Sequence, residues 1–321
     1  MKGLMQDHPL LISSIFEHAI NNYPTQEIVS NSVEGGIHKY TYKDWGNRTK
    51  QLANALKDYG VSDGDRIGTL AWNGYRHLEL YYATSSSGLI CHTMNPRLHH
   101  DQVAYIVNHA EDKIIFVDLN IVDLIKLAAS SFKSVKAIVI MTDSKNMIDL
   151  VLPNGIEVLC YEDFIDKKPI EFNWPNLDEK TASSLCYTSG TTGNPKGVLY
   201  THRSTVLHAY GINLKDAIPY GAKDVVMPVV PMFHVNAWGT PYAAAMCGTK
   251  FVFPGAKLDG ESLTDLMNQE KVTISLGVPT VWLLLLNHLR ESGKKLDTVQ
   301  RLIIGGSACP RTLFEGFGEE Y

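Results

Sequence analysis

Short apolar runs alternate with amphipathic helical patterns along most of this 321-residue chain. Thr41, followed three residues later by Asp44, forms a capping-box pattern that predicts the start of a helix. An apolar run at residues 66–71 follows a turn signal and predicts a strand, and the next pattern predicts a helix over residues 75–86. Because such β-α units repeat, we expect parallel sheets that helices cover on both faces.

The same alternation continues to the last residues. Further strands are predicted at residues 89–93, 113–117, 137–141, 183–187, 198–200, 225–230, 250–253, 272–276 and 302–304. Further helices are predicted at residues 101–109, 121–129, 205–214, 237–247, 261–270 and 280–291, and an amphipathic helix is predicted over residues 313–321. Only residues 143–182 lack a clear pattern, and a Pro-Asn-Gly turn signal lies among them. The predicted fold class is therefore α/β.

The composition fits a protein with a large core, because 45% of the residues are hydrophobic and 20% are charged. The net charge of −5 and the pI near 6.2 argue against a surface for nucleic acid or anionic membranes. Five scattered cysteines without a C-x-x-C pair argue against a disulfide framework or a zinc site, and they fit a reducing cytoplasm. No apolar run reaches the ~18 residues of a membrane span, and we interpret the N-terminus as mature protein and not as a signal peptide.

Residues 187–197, Tyr-Thr-Ser-Gly-Thr-Thr-Gly-Asn-Pro-Lys-Gly, have the residue types of a phosphate-binding loop. The glycines allow positive φ and turn backbone N–H groups inward, and clusters of such groups bind anions. The hydroxyl groups can bind phosphate oxygens or Mg²⁺, and Lys196 adds a mobile positive charge. The loop differs from a Walker loop, in which glycine directly precedes the lysine, because Pro195 precedes Lys196 here and Gly197 follows it.

This loop is expected to join two strands, whereas a Walker loop opens into a helix. The alternative is a flexible surface hairpin that binds nothing. The density of hydroxyl groups beside a single lysine favours phosphate binding.

Two further sites carry candidate chemistry. His234 follows an apolar strand, and ligands of open α/β sheets bind beyond the carboxyl ends of strands, although a core or loop histidine is the alternative. Small residues at 305–308 follow the strand at 302–304 and allow a flat base to approach the backbone closely. We interpret His202 as part of a helix N-terminus, and Cys309 as a small loop residue because no basic residue is near it in sequence.

Together these motifs resemble those of the AMP-forming acyl-CoA synthetase/ligase superfamily, which includes acyl-CoA synthetases, adenylation domains and firefly-type luciferases. Residues 187–198 resemble the family signature. Residues 231–239, Pro-Met-Phe-His-Val-Asn-Ala-Trp-Gly, resemble the second family motif in the form typical of medium- and long-chain fatty-acyl-CoA synthetases. Residues 277–280 resemble the acyl-pocket turn, and residues 305–310 resemble the adenine-side loop. The resemblance extends from about Leu11 onward.

The resemblance implies two doubly wound, mostly parallel sheets with helices on both faces, as in the N-terminal domain of adenylate-forming enzymes, together with a small β-rich subdomain. It assigns residues 11–321 to this domain, which is expected to be incomplete at its C-terminus. A small, mobile C-terminal domain is expected to follow. The acidic Mg²⁺ motif, the ribose-binding aspartate and the lysine that promotes adenylation are expected in the missing part, so this fragment alone is expected to be inactive.

The resemblance also implies a role for each site residue. It assigns the phosphates of ATP to Thr188, Ser189, Gly190, Thr191, Thr192, Gly193 and Lys196, with Thr188 also a candidate Mg²⁺ ligand. It assigns the adenine side to Gly305, Gly306, Ser307, Ala308 and Pro310. It assigns the acyl pocket to His234, Val235, Trp238, Gly239, Gly277, Pro279 and Thr280. His234 and Lys196 are the candidate catalytic residues, and Trp238 is either a gate of the acyl tunnel or an ordinary core tryptophan.

The implied reaction activates a carboxylic acid with ATP through an acyl-adenylate to an acyl-CoA, and it releases AMP and pyrophosphate. The second motif indicates a medium- or long-chain fatty acid, and a short substituted acid such as 3-methylthiopropionate is the alternative. ATP, CoA and Mg²⁺ are the implied co-substrates and ion, and a homodimer, which is common among fatty-acyl relatives, is left open. Two other classes also stay open: a kinase-like or other NTPase, which would release ADP and phosphate, and a non-catalytic nucleotide-binding fragment.

Overall fold

The computed structural model describes residue 1, residues 3–188 and residues 194–321. Within these residues the strands are β1 (Glu27–Asn31), β2 (Ile37–Thr41), β3 (Arg66–Leu70), β4 (Ile90–Met94), β5 (Ile114–Asp118), β6 (Ala137–Met141), β7 (Glu157–Cys160), β8 (Ala182–Thr188), β9 (Lys196–Thr201), β10 (Val225–Pro228), β11 (Lys250–Phe253), β12 (Ile274–Gly277) and β13 (Arg301–Ile304). The α-helices are α1 (Ile12–Asn22), α2 (Tyr42–Tyr59), α3 (Tyr75–Ser86), α4 (His100–Ala110), α5 (Val122–Ala128), α6 (Tyr161–Ile165), α7 (His202–Ile212), α8 (Thr240–Met246), α9 (Gly260–Gln269), α10 (Pro279–Ser292) and α11 (Arg311–Glu320).

The strands form two mostly parallel sheets. One sheet has six strands in the order β13-β12-β10-β11-β1-β2, and the other has seven in the order β7-β6-β5-β3-β4-β8-β9. Neighbouring strands are parallel except in the pairs β1–β2 and β8–β9. The hairpin β1–β2 joins the six-stranded sheet before the chain enters the seven-stranded one, so the sheets are interleaved along the sequence. The α/β architecture implied by the resemblance is confirmed.

Helices cover both faces of each sheet because successive strand side chains point to opposite faces. In β5, Ile115 and Val117 pack with α4 and α5, whereas Ile114 and Phe116 pack with α2 and α6. In the six-stranded sheet one face packs with α9 and α10. The other face joins α1, α3 and α8 in the largest apolar cluster, which also reaches Cys91 of β4 and therefore connects the two sheets.

Most predicted elements are present, and the capping box at Thr41 and Asp44 begins α2 as expected. The sequence pattern missed α1 and the hairpin β1–β2, and residues 143–182 contain β7 and α6. The helix predicted at residues 237–247 begins only at Thr240, because the residues before it adopt left-handed backbone conformations. None of the helices in the described part of the chain is long and apolar enough to cross a lipid bilayer.

The carboxylate of Glu79, on α3, is fully buried and is held by three neighbouring side chains. Arg48 Nε donates a hydrogen bond to Glu79 Oε1 at 2.7 Å, and the side chain of Glu79 has 0% exposure. The hydroxyl groups of Tyr40 and Tyr161 donate to the same carboxylate at 3.1 Å and 2.5 Å. Arg48 also pairs with Glu162 at 2.8 Å, so it connects α2, α3 and α6. A buried carboxylate needs such partners, because burial without them is costly.

Replacing Glu79 with alanine should lower the free energy of unfolding by about 3 kcal/mol, because two buried tyrosine hydroxyls lose their acceptor and the half-buried Arg48 loses one of its two carboxylate partners. Urea denaturation followed by circular dichroism measures the change. Lys126→Ala is the control, since it breaks an exposed ion pair with Asp123 and should cost less than about 1 kcal/mol. Equal losses in the two variants would contradict a structural role for the buried cluster.

Candidate functional site

The predicted phosphate-binding loop connects β8 to β9 at the edge of the seven-stranded sheet. The two strands are antiparallel, and Thr188 lies opposite Lys196. Thr188 Oγ1 is 3.5 Å from the carbonyl oxygen of Lys196, and both side chains are exposed. The expectation that the loop joins two strands is confirmed. Five of the residues assigned to phosphate lie outside the described residues: Ser189, Gly190, Thr191, Thr192 and Gly193.

Thr188 offers one hydroxyl oxygen to a metal ion at this edge. Mg²⁺ prefers six oxygen ligands and is usually held by carboxylates, substrate phosphates and water. A single hydroxyl therefore supplies only a small part of such a ligand set.

The residues that follow β10 form a left-handed helical turn before α8. Residues 235–238 have φ between 46° and 54°, and Gly239 has φ of 75°. Left-handed backbone costs roughly 1–2 kcal/mol for each non-glycine residue, so contacts with the rest of the protein must hold the turn. His234 directly precedes the turn and is exposed.

Side chains from the seven-stranded sheet fix the segment that leads into this turn. Asn73, which follows β3, donates hydrogen bonds to the carbonyl oxygens of Pro228 at 2.7 Å and Val230 at 2.9 Å. Its own oxygen accepts a hydrogen bond from the backbone N–H of Met232 at 2.7 Å. The hydroxyl of Tyr81, on α3, donates to the carbonyl oxygen of Met232. The sequence pattern did not single out Asn73, because a lone asparagine after a strand is typical of any turn.

A cavity of about 460 Å³ lies beside the turn, between α7 and α8. Three of the predicted acyl-pocket residues line it: Val235, Trp238 and Gly239. The remaining lining residues are Tyr200, Ser204, Thr205, His208, Asn236 and Tyr242. Half of these, Ser204, Thr205 and His208, were missed because α7 contributes them from outside the motifs. The cavity has both apolar walls and several polar side chains.

The indole of Trp238 packs on the backbone of Gly305, so this cavity and the predicted adenine-side loop share a wall. A Cβ atom on Gly305 would lie 2.7 Å from Cη2 of Trp238, which is closer than carbon atoms approach. The backbone N–H of Gly305 donates to the carbonyl oxygen of Gly277 at 3.3 Å. The structure thus brings together three of the segments that the sequence singled out, at the carboxyl ends of β12 and β13.

The rest of the acyl-pocket turn and the adenine-side loop surrounds this contact. Trp282 of α10 lies under Gly277, since a Cβ atom there would be 2.8 Å from Cζ2 of the indole. Pro279 is buried as the first residue of α10, and Gly306 has φ of 83°. Ser307, Ala308 and Pro310 are exposed.

Thr280 lies at a second cavity of about 180 Å³, between the two sheets. Trp72, Arg97 and Phe233 also line it, and the guanidinium of Arg97 lies 5.3 Å from the ring centroid of Trp72 and 5.9 Å from that of Phe233. Of the predicted acyl-pocket residues, Val235, Trp238 and Gly239 thus line the first cavity and Thr280 lines the second. His234, Gly277 and Pro279 are not among the lining residues of either cavity.

His202 has a structural role, as its place at the start of a helix indicated. Its imidazole is buried, and Nδ1 accepts a hydrogen bond from the backbone N–H of Ile12 at 3.2 Å. Burial lowers the pKa of His202 to about 4. Cys309, in contrast, is exposed in the adenine-side loop, and its Sγ is 3.5 Å from the carbonyl oxygen of Pro310.

Replacing Gly305 with alanine should destabilise the protein by about 1–3 kcal/mol, because the new methyl group overlaps the indole of Trp238. Urea denaturation provides the measurement. Gly318→Ala is the matched control: Gly318 lies in α11 with nothing within 4 Å of the added atom, so alanine should be neutral or stabilise by up to about 1 kcal/mol. A neutral Gly305→Ala variant would contradict the close contact.

Comparisons with known proteins identify relatives of this chain. A family profile described as "AMP-binding enzyme" matches residues 16–321. The chain is 47% identical over 321 residues to a 3-methylmercaptopropionyl-CoA ligase of Ruegeria lacuscaerulensis. The match covers 100% of this chain and 59% of that protein. It is 46% identical over 321 residues to a medium-chain-fatty-acid–CoA ligase of Ectopseudomonas oleovorans, with 100% of this chain and 58% of that protein covered.

A solved structure shares the fold. An anthranilate CoA ligase in complex with anthranoyl-AMP superimposes with a TM-score of 0.85 and 22% identity, covering 98% of this chain and 59% of that one. The chain thus spans less than two thirds of the length of these relatives. Because the family profile matches nearly all of the sequence, the chain belongs to the family of AMP-binding enzymes.

Proposed function

We propose that the full-length protein is an AMP-forming acyl-CoA ligase. The observation that supports this proposal is the contact between Trp238 and Gly305, because the 460 Å³ cavity then lies directly beside the loop that we assign to adenine. A ligase that joins a carboxylate to the α-phosphate of ATP needs its two substrates to meet at such a boundary. The similarity to two CoA ligases over the whole of this chain supports the same activity.

The chemistry explains why ATP is needed. A carboxylate is a poor electrophile, because its charge repels nucleophiles and oxide is a poor leaving group. A carboxylate oxygen attacks the α-phosphorus of ATP, the bond to the bridging oxygen of pyrophosphate breaks, and an acyl-adenylate forms. The thiol sulfur of CoA then attacks the acyl carbon, its proton is lost to solvent or a base, and AMP leaves.

The residues of this chain would act mainly by positioning and by electrostatic stabilisation. Lys196 lies at the start of β9 with an exposed side chain, where it can reach the β- and γ-phosphates and stabilise the charge that develops on pyrophosphate. His234 is exposed and directly precedes the turn, and we assign it to the carboxylate or α-phosphate region. Both assignments are part of the proposal.

For the substrate, we propose a medium- or long-chain fatty acid. Val235, Trp238 and Tyr242 give the 460 Å³ cavity apolar walls that an alkyl chain would cover. The second candidate is a short substituted acid such as 3-methylmercaptopropionate, which the polar groups of Ser204 and His208 in the same cavity favour. Relatives named for the two kinds of acid are 47% and 46% identical to this chain, so identity does not separate them.

Carboxylate-dependent exchange of pyrophosphate with ATP by the full-length protein tests the reaction class. We expect exchange with at least one acid between two and eighteen carbons long, and formation of AMP when CoA is added. A kinase-like enzyme would form ADP instead, and a non-catalytic nucleotide-binding protein would give no exchange. The ratio of kcat/KM for octanoate to that for 3-methylmercaptopropionate then identifies the preferred class of acid.

The role of Lys196 is tested in the same assay. Lys196→Ala should lower kcat/KM for exchange about a hundredfold, as the loss of one electrostatic contact to a developing charge does in other enzymes. Lys223→Ala is the control. Lys223 is also exposed, but it precedes β10 and therefore lies at the amino end of that strand, away from the carboxyl ends at which the candidate site lies. A Lys196→Ala variant with wild-type exchange would count against the assignment of the loop to phosphate.

A further inference from the structure

We propose that the buried side chain of Asn236 is a positioning residue, which holds the left-handed turn at residues 235–239 in a fixed place relative to β8, the strand that leads into the phosphate-binding loop. The inference rests on the proposed ligase function, because it concerns how the acyl group and the triphosphate are kept in register. In the proposed scheme the amide group of Asn236 contacts neither substrate and acts only by holding other groups in place.

The amide group of Asn236 forms hydrogen bonds to α3 and to β8, the strand that leads into the phosphate-binding loop. Its Nδ2 donates to Ser184 Oγ of β8 at 3.0 Å. Its Oδ1 accepts from the hydroxyl of Tyr81, on α3, at 3.3 Å, and the thiol of Cys186, also on β8, lies 3.6 Å from the same oxygen. Asn236 is 5% exposed, so these bonds form away from solvent and do not compete with water.

Asparagine suits this place for two reasons. Asparagine adopts the left-handed conformation more readily than most residues, and Asn236 has φ of 50°. Its amide also donates and accepts at the same time, which lets one side chain bind both Ser184 and Tyr81. Within the turn, Val235 and Ala237 have no polar group that could replace it.

The anchor matters because the turn is strained. Residues 235–238 all have left-handed backbone, and that conformation persists only where the surroundings hold it. Without the bonds to Ser184 and Tyr81, the turn is free to relax toward right-handed or extended backbone. His234 and Trp238 lie two residues to either side of Asn236, so such a relaxation moves both of them.

The strand β8 links the position of the left-handed turn to the proposed binding site of the ATP phosphates. Ser184 and Cys186 point to the same face of β8, and Thr188, the last residue of β8, follows Cys186 by two positions. The side chain of Thr93 strengthens the same connection, since its hydroxyl is 3.3 Å from Cys186 Sγ and 3.4 Å from the carbonyl oxygen of Phe233. The distance between β8 and the turn is therefore set by buried side chains.

The test uses Asn236→Ala and Asn236→Gly in the full-length enzyme, assayed by pyrophosphate–ATP exchange. We expect kcat to fall about tenfold to a hundredfold, because a displacement of about 1 Å between reacting groups has effects of that size. The KM for ATP should stay close to the wild-type value, since the loop itself is unchanged. The glycine variant separates the loss of the amide group from backbone strain. Glycine adopts positive φ without strain, so the loss of kcat in Asn236→Gly reports the missing amide.

Asn108→Ala is the matched control for a merely structural effect. Asn108 also donates and accepts through its amide, to the carbonyl oxygen of Ser131 at 2.8 Å and from the backbone N–H of Lys133 at 2.9 Å. This variant loses two amide hydrogen bonds to backbone groups at a half-buried position of α4, and we expect its kcat to match wild type. A loss of kcat equal to that of Asn236→Ala at a similar loss of Tm would overturn the proposal.

Ser184→Ala provides a second, milder variant. It removes one of the bonds of Asn236, so kcat should fall several-fold, and the double variant Ser184→Ala/Asn236→Ala should lose little more than Asn236→Ala alone. If the Asn236 variants do not fold, an unchanged kcat in Ser184→Ala overturns the proposal. Wild-type exchange with unchanged kcat in all variants rejects the positioning role only, whereas an absence of wild-type exchange rejects the ligase function itself.

Discussion

The path of the chain between β10 and α8 depends on hydrogen bonds from buried side chains of the opposite sheet. Asn73 binds three backbone groups between Pro228 and Met232, and the hydroxyl of Tyr81 binds a fourth. An irregular segment cannot satisfy all of its own polar groups, so these side chains replace part of the missing partners. The carbonyl oxygen of Leu276, on β12, accepts from the N–H groups of Val229 and Val230 at 2.8 Å, so the position of His234 follows from both sets of bonds.

Close approach is the second constraint on the site. Gly239 has φ of 75°, and a Cβ atom there would lie 2.5 Å from Nδ1 of His208. Gly305 and Gly277 lie against Trp238 and Trp282 at similarly short range. In each case the absence of a side chain lets a ring lie on the backbone, so the cavity and the adjacent loop share thin walls. The glycines of the motifs thus act through packing as well as through backbone freedom.

Much of the fold was predictable from the sequence because its strands are continuous apolar runs and its helices have apolar faces. Both patterns reflect burial, which one sequence reports directly. The failures have specific causes. The hairpin β1–β2 contains His38, Lys39 and Thr41 among its residues and lacks an apolar run, and α6 has only five residues, too few for a helical period to appear.

The sequence by itself determined the α/β class, the strand–loop–strand placement of Lys196 and the family resemblance, because each depends on residues that are near one another in the chain. Only the tertiary structure decided that Trp238 packs on Gly305, that Thr280 lies at a different cavity from Val235, and that Asn73 and Asn236 hold the turn. These contacts join residues about 50 to 160 positions apart, and a single sequence carries no record of such pairs.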